Sequence, residues 1–404
     1  MVVVPLRTIV FYKVGRHMTD DKNTMARSWR RRLAGGVAIA AALAGVSAVN
    51  TQTSAGAKTA AAPPSSRLVA VACNTPRSCF AVGQSDNRLF AKHWNGTSWS
   101  VVPLPSPRSS GSYSALNTVA CGSPTSCVAF GTSSKPFVVH WDGSRWTLGK
   151  IPSIGGEQSL VIGGVACARA DSCQAVGAAG RGTYGAFTAT TQWDGKRWSR
   201  VAIDGTNSGS GYTLSSVACP EAKSCIAVGS GGGVDFAQRW NGTTWSAMTP
   251  LVDVGPENSW LSSVSCTSSR NCYASGTWDR DGTLIEHWDG AAWTIVPSPN
   301  QPFGVYMNLG GISCKAKGCV TVGSGSSYST YPLPATIAIH QDRTTWTIRP
   351  SQPNPAPSYS WLYGVVCIDV KNCFAVGAQV PTLDSYQEVA LIEHWNGHTW
   401  SAVG

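Results

Sequence analysis

The residues here whose chemistry depends most on spacing are fourteen cysteines and seven histidines. The cysteines stand in close pairs with none left over: Cys73 and Cys79, Cys121 and Cys127, Cys167 and Cys173, Cys219 and Cys225, Cys266 and Cys272, Cys314 and Cys319, Cys367 and Cys373. Structural zinc needs four ligands at one point, and no pair has a second Cys or His cluster near it in sequence. An even, regularly placed set reads instead as disulfides formed in an oxidising compartment. A bridge closing about seven residues contributes roughly 2–2.5 kcal/mol.

Of the histidines, His17 lies in the N-terminal region. His93, His140, His287, His340 and His394 occupy one repeated position, and His398 sits in a turn. A residue written once per repeat serves the scaffold before it serves catalysis. No nucleophile elbow or phosphate loop is present. A glycoside hydrolase would need a pair of carboxyl groups. Glu157, Glu257, Asp253, Asp279, Asp281 and Glu388 stand on irregular segments with no spacing that selects a pair, and Glu286 and Glu393 recur in identical Glu-His-Trp contexts. Asp279 to Thr283 has the outline of a calcium loop without the remaining ligands, so Asp281-Gly282 reads as a plain turn. No catalytic residue, metal or cofactor is expected.

These positions must be held by something, and the chain shows what. His93-Trp94-Asn95-Gly96-Thr97-Ser98-Trp99 is one of seven versions of a single stretch; the others are His140–Trp146, Gln192–Trp198, Arg239–Trp245, His287–Trp293, His340–Trp346 and His394–Trp400. The first cysteines of successive units lie 48, 46, 52, 47, 48 and 53 residues apart, close to the period of four-stranded propeller blades. Each unit divides into an alternating run such as Leu214–Cys219, a second strand Cys225–Gly229, a third ending at His-Trp, and a fourth beginning at the second Trp. Asn-Gly or Asp-Gly separates the last two strands in six units, a signal for a tight hairpin.

The expectation is an all-β, seven-bladed β-propeller of four-stranded antiparallel blades, one disulfide per blade. The blades span about 67–105, 115–153, 161–204, 213–250, 260–299, 308–350 and 361–404. The paired Trp residues fill the spaces between blades. The sixth unit has Gln341 for its first Trp and Arg343 for the turn Gly, so its hairpin is expected to be the least well formed, or to be shaped by something else. Since the units run in phase, no terminal strand is exchanged to close the ring.

Such a meander puts the Cys turns and the Asn-Gly turns on one regular face and the variable loops on the other. Loops on a rigid scaffold carry function. Aromatic residues collect there, and Trp260, Trp278, Trp361, Tyr306, Tyr359 and Tyr212 are the ligand-binding candidates. Their large, rigid, half-polar rings suit sugar or peptide. The competing role is that they cover the blade tops.

The formal charge of +10 belongs mainly to residues 1–57, which hold eight Lys/Arg and two Asp/Glu; the remainder is near balance at +4. That balance gives no reason to expect a nucleic-acid partner. Arg27, Arg30, Arg31 and Arg32 followed by the apolar Leu33–Gly45 read as an export signal over 1–57, cleaved or kept as an N-terminal anchor, with a flexible leader over 58–66. The apolar stretch is short and Gly-rich, so no stable membrane span is expected. A secreted, extracellular or envelope location and a monomer follow as expectations.

The hairpin Asp142-Gly143-Ser144-Arg145-Trp146 resembles the Asp-box of sialidase-type propellers, one residue shorter. The full pattern Val-Ala-Cys…Cys-x-Ala-Val-Gly…His-Trp-Asn-Gly-x-x-Trp is more similar to a group of exported, repeat-built actinobacterial proteins of unassigned function, over residues 67–404. The resemblance implies propeller and export but no activity. Asp-boxes are structural in the sialidase family, and the Phe-Arg-Ile-Pro stretch of that family is absent. The function expected is a binding or interaction module, with carbohydrate as the favoured ligand class. A sialidase-like glycoside hydrolase or lyase and a purely structural envelope protein are the alternatives.

Overall fold

A computed structural model describes residues 64–107, 113–152, 159–180, 186–204, 211–248, 258–278, 282–299, 305–327, 335–350, 359–382 and 387–403. Residues 62–404 form a compact unit of their own. It contains seven sheets, each built on four consecutive antiparallel strands in chain order. Blade 1 is typical, with β1 (Ser66–Thr75), β2 (Ser78–Ser85), β3 (Arg88–Trp94) and β4 (Trp99–Val101). The first strands of the later blades are Ala115–Ser123, Ser159–Arg169, Thr213–Glu221, Ser259–Ser268, Val305–Lys315 and Tyr359–Asp369. Each packs on the first strand of the next blade, and the seventh packs on β1, so these strands form the inner wall of a closed ring.

The Cys-x-Ala-Val-Gly strand is apolar throughout because each blade is covered on both faces by its neighbours. Phe80, Ala81 and Val82 of β2 are all fully buried. The tryptophans fill the wedges that remain. Phe80 lies 5.0 and 5.1 Å from Trp141 and Trp146 of blade 2, Phe130 lies 4.9 Å from Trp198 of blade 3, and Tyr273 lies 5.8 Å from Trp346 of blade 6. Closure repeats this contact: Phe374 of blade 7 lies 5.1 and 5.4 Å from Trp94 and Trp99 of blade 1. Beside it, Ser66 N donates to Glu388 O at 2.8 Å. The ring closes with no strand exchanged.

All seven expected bridges are present, one in each blade. Cys73 is joined to Cys79, Cys121 to Cys127, Cys167 to Cys173 and Cys219 to Cys225. Cys266 is joined to Cys272, Cys314 to Cys319 and Cys367 to Cys373. The second cysteine of every pair, Cys79, Cys127, Cys173, Cys225, Cys272, Cys319 or Cys373, is buried in the core. These sulfurs therefore hold the scaffold. In blade 1, Cys73 and Cys79 face each other directly in the ladder, at the foot of the turn between β1 and β2. The hairpin turns sit on that same face. Trp94 Nε1 donates to Pro76 O at 3.1 Å, and a Cβ on Gly96 would lie 2.9 Å from the Arg77 side chain.

Pairing stops at the two tryptophans, the expected end of the third strand and start of the fourth, leaving a four-residue loop. Asn95 Oδ1 accepts from Thr97 N and Ser98 N, both at 2.9 Å, and Gly96 turns the chain at φ +100°. The side-chain acceptor closes the loop, and only Gly takes that φ without strain. The sixth hairpin is not the least well formed; it is shaped differently. Asp342 keeps the Asx place, but Gln341 stands for Trp and Arg343 for Gly, and pairing continues through Gln341↔Trp346 and Asp342↔Thr345 with Arg343 at φ +58°. Its fourth strand is the longest, Thr345–Pro350. A further departure lies between blades 3 and 4, where Ile203–Asp204 adds a short parallel strand to the outer strand of blade 4.

Candidate functional site

Each inner strand carries an extra residue midway along its length. The ladder to the second strand skips Val69, Asn117, Gly163, Ser215, Ser262, Gly310 and Tyr363 at equivalent positions in the seven blades. Such a bulge kinks its strand and leaves one residue unpaired. It also accounts for the glycine ending each Cys-x-Ala-Val-Gly run. A Cβ on Gly229 would stand 1.9 Å from Thr213 O, and one on Gly377 1.7 Å from Trp361 O. The carbonyl displaced by the bulge takes the space of a side chain.

All seven bulge residues line one cavity of about 190 Å³ on the ring axis. Asn117, Thr118, Ser215, Ser216, Ser262, Ser263 and Tyr363 supply its polar groups, and none of its lining residues is an Asp, Glu, Lys or Arg. Seryl hydroxyls also stitch neighbouring inner strands: Val264 N donates to Ser216 Oγ and Ile312 N to Ser263 Oγ, both at 3.2 Å. The chamber offers neutral hydrogen-bonding groups to whatever enters. Spacing arguments missed it, because its residues vary from blade to blade. The signal that could have found it is the glycine, which marks the bulge opposite.

The aromatic candidates divide. Trp361 and Trp260 stand two residues upstream of the cavity-lining Tyr363 and Ser262, on the same inner strands. Trp361 stacks on Tyr359 with ring centroids 6.0 Å apart and planes 7° from parallel, both half-buried. Trp278 ends the second strand of blade 5, is 40% exposed, and pairs with Ser259 beside Trp260. Tyr212 instead packs edge-on against Phe236 at 5.3 Å, as part of the blade 4 core margin. The side chain of Tyr306 lies outside the described residues.

The repeated histidines belong to the scaffold. Nε2 of His93, His287 and His394 meets Ser78 Oγ, Asn271 Oδ1 and Asn372 Oδ1 of its own blade at 3.2, 2.8 and 2.9 Å. His140 and His340 accept the indole N–H of Trp198 and Trp400 in the next blade at 3.2 and 3.0 Å. An indole can only donate, so these two rings are neutral at Nε2. Burial holds all five below the usual histidine range, and His340, beside Arg349, is pushed down to about 4.

Among the loop carboxylates, Glu388 lies 3.9 Å from Arg67; Glu157, Glu257, Asp253, Asp279 and Asp281 fall outside the described residues. The structure does bring together a pair that sequence reasoning missed. Glu286 of blade 5, with no exposure, faces Asp235 of blade 4, 9% exposed, across the interface. Burial first, and the Asp235 charge second, push Glu286 up to about 9. Asp235 was hidden because its repeat equivalents are Leu89, Pro136, Thr188, Thr283, Thr336 and Ala390. Among the described residues, no group of three His, Cys, Asp or Glu is placed to hold a metal, and no helix is long and apolar enough to cross a membrane.

No family model and no curated relative matches the chain. Solved structures do share its fold. YCF48 bound to D1 peptide is 14% identical with a TM-score of 0.51, covering 82% of this chain and 93% of its own. YCF48 from Cyanidioschyzon merolae is 12% identical with a TM-score of 0.53, covering 83% and 97%. The fucose-specific lectin from Aleuria aurantia is 12% identical with a TM-score of 0.44, covering 73% and 99%.

Proposed function

We propose that this chain is an exported binding module that receives a carbohydrate at the loop-side mouth of its central channel. The observation that carries the reading is the joining of two features on the same inner strands. Flat aromatic faces (Tyr359–Trp361, Trp260) stand immediately upstream of a neutral, hydroxyl-rich chamber built by all seven blades. Sugar rings present apolar faces to aromatics and hydroxyls to such groups, and an uncharged lining favours an uncharged ligand. Trp278 adds an exposed ring at the neighbouring strand end. The YCF48 structure that shares this fold holds a D1 peptide, which supports binding as the general role. Seven disulfides support an oxidising, extracellular setting. The hydrolase alternative gains little from the Asp235–Glu286 pair, because a substrate would have to force blades 4 and 5 apart to reach it.

A glycan array run beside a panel of chromogenic glycosides tests the reading. Retention of a neutral glycan, lost when Trp260, Trp278 and Trp361 are together replaced by Ala in a protein that melts like the parent, supports it. Retention unchanged in that variant, or turnover of a glycoside, overturns it.

A further inference from the structure

We infer that the interface between blades 4 and 5 is a proton-held clasp: Asp235 and Glu286 share one proton, and its loss frees the loop-side ends of the strands that carry Trp260 and Trp278. Two carboxyl groups meeting out of water cannot both be ionised at low cost, so one proton must stay between them. No donor among the described residues reaches either Glu286 oxygen or Asp235 Oδ2, although both residues are buried. The pair is therefore each group's own solution to burial.

Other charges do not intervene. On the strands packed around the pair (213–221, 224–231, 234–240, 259–268, 271–278 and 282–288), the remaining charged or titratable side chains are Glu221, Arg239, Tyr273 and His287. Glu221 and Arg239 are exposed towards the turn face. Tyr273 and His287 stack on each other at 4.3 Å, on the side of blade 5 that meets Trp346 of blade 6.

The pair is wired to the candidate site. Asp235 N donates to Ser259 Oγ at 3.3 Å, and Ser259 N donates to Gly233 O at 3.2 Å. Ser259 precedes Trp260 and pairs with Trp278. The same glutamate occurs in blade 7, where Glu393 meets not a second acid at this position but Thr336, whose Oγ1 donates at 3.4 Å. Of these two contacts, the one between blades 4 and 5 needs a shared proton. The sign is definite: Glu286 lies above its unfolded value, so its stabilisation is complete below about 4.5 and is lost as pH rises through about 9.

The clasp itself does not depend on the carbohydrate reading; its consequence for ligand retention does. Amide hydrogen exchange of the full, oxidised chain without ligand, corrected for intrinsic rates, separates the two. From pH ~7 to ~10, amides in 231–235 and 258–260 should lose about tenfold in protection. In Glu286→Gln the amide donates to Asp235, and protection should stay flat; in Glu393→Gln it should fall as in the parent. Asp235→Thr, which copies the blade 6–7 contact, serves if the Gln variant folds poorly and should also flatten the response. An unchanged parent, or an equal loss in Glu286→Gln, overturns the clasp. Failure of the glycan array leaves this result standing.

Discussion

The two ends of the propeller are made by opposite rules. On the turn face, every blade repeats a bridged Cys turn, and six add a hairpin closed by an Asn or Asp side chain, so Arg77 rests on Gly96 as Lys371 rests on Gly397. On the loop face the blades diverge: blades 5 and 7 have Trp260 and Trp361 where blade 3 has Val161 and blade 6 has Asn308. Repetition marks the groups that every blade needs to close a ring. What is left unrepeated is free to meet a ligand.

Substitutions should respect that division. The largest loss is expected from Trp245→Ala, since this fully buried ring fills a wedge between blades; chemical denaturation should show about 3–5 kcal/mol. Gly377→Ala comes next, at roughly 1–3 kcal/mol or more, because Trp361 O occupies the methyl's place and backbone would have to move. A loss of less than about 0.5 kcal/mol, the range of an uneventful surface change, would mean that the bulge is not formed as described.

Acid gives a third test. His340 lies below its unfolded value, so the folded protein keeps this ring neutral while the unfolded chain takes up a proton. Its contribution is present above about 6.5 and is lost as pH falls towards about 4, by on the order of 1–3 kcal/mol. Melting curves across that window should therefore fall less steeply for His340→Phe than for the parent. The smallest effect belongs to the other face: Trp278→Ala should change stability by no more than about 0.5 kcal/mol, its ring being exposed. A loss comparable to that of Trp245→Ala would erase the distinction between scaffold and rim.

Much of the fold was legible because its causes are periodic. The Cys pairs, the Trp pairs and the apolar second strands recur, and they set blade number, strand order and closure. What stayed hidden depends on which residues meet across blades. Asp235 and Glu286 lie on the third strands of two different blades, and only the ring brings them together. The bulge leaves no trace in its own variable residue, Val69 in one blade and Tyr363 in another, only in the glycine opposite. The hairpin bounds were legible from the two Trp, whereas the sixth hairpin was not, because its form depends on Arg343 taking a positive φ. Among the rim aromatics, Trp361 stacks on Tyr359 and Tyr212 packs edge-on against Phe236.

The most direct measurement is a crystal structure of the oxidised protein with a glycan found on the array. The account predicts density at the loop-side mouth of the channel, with a sugar face on Trp361 or Trp260 and hydroxyls directed towards Asn117, Ser215 or Ser262. A ligand seated on the Cys-turn face, or on the outer edges of the blades, would contradict it.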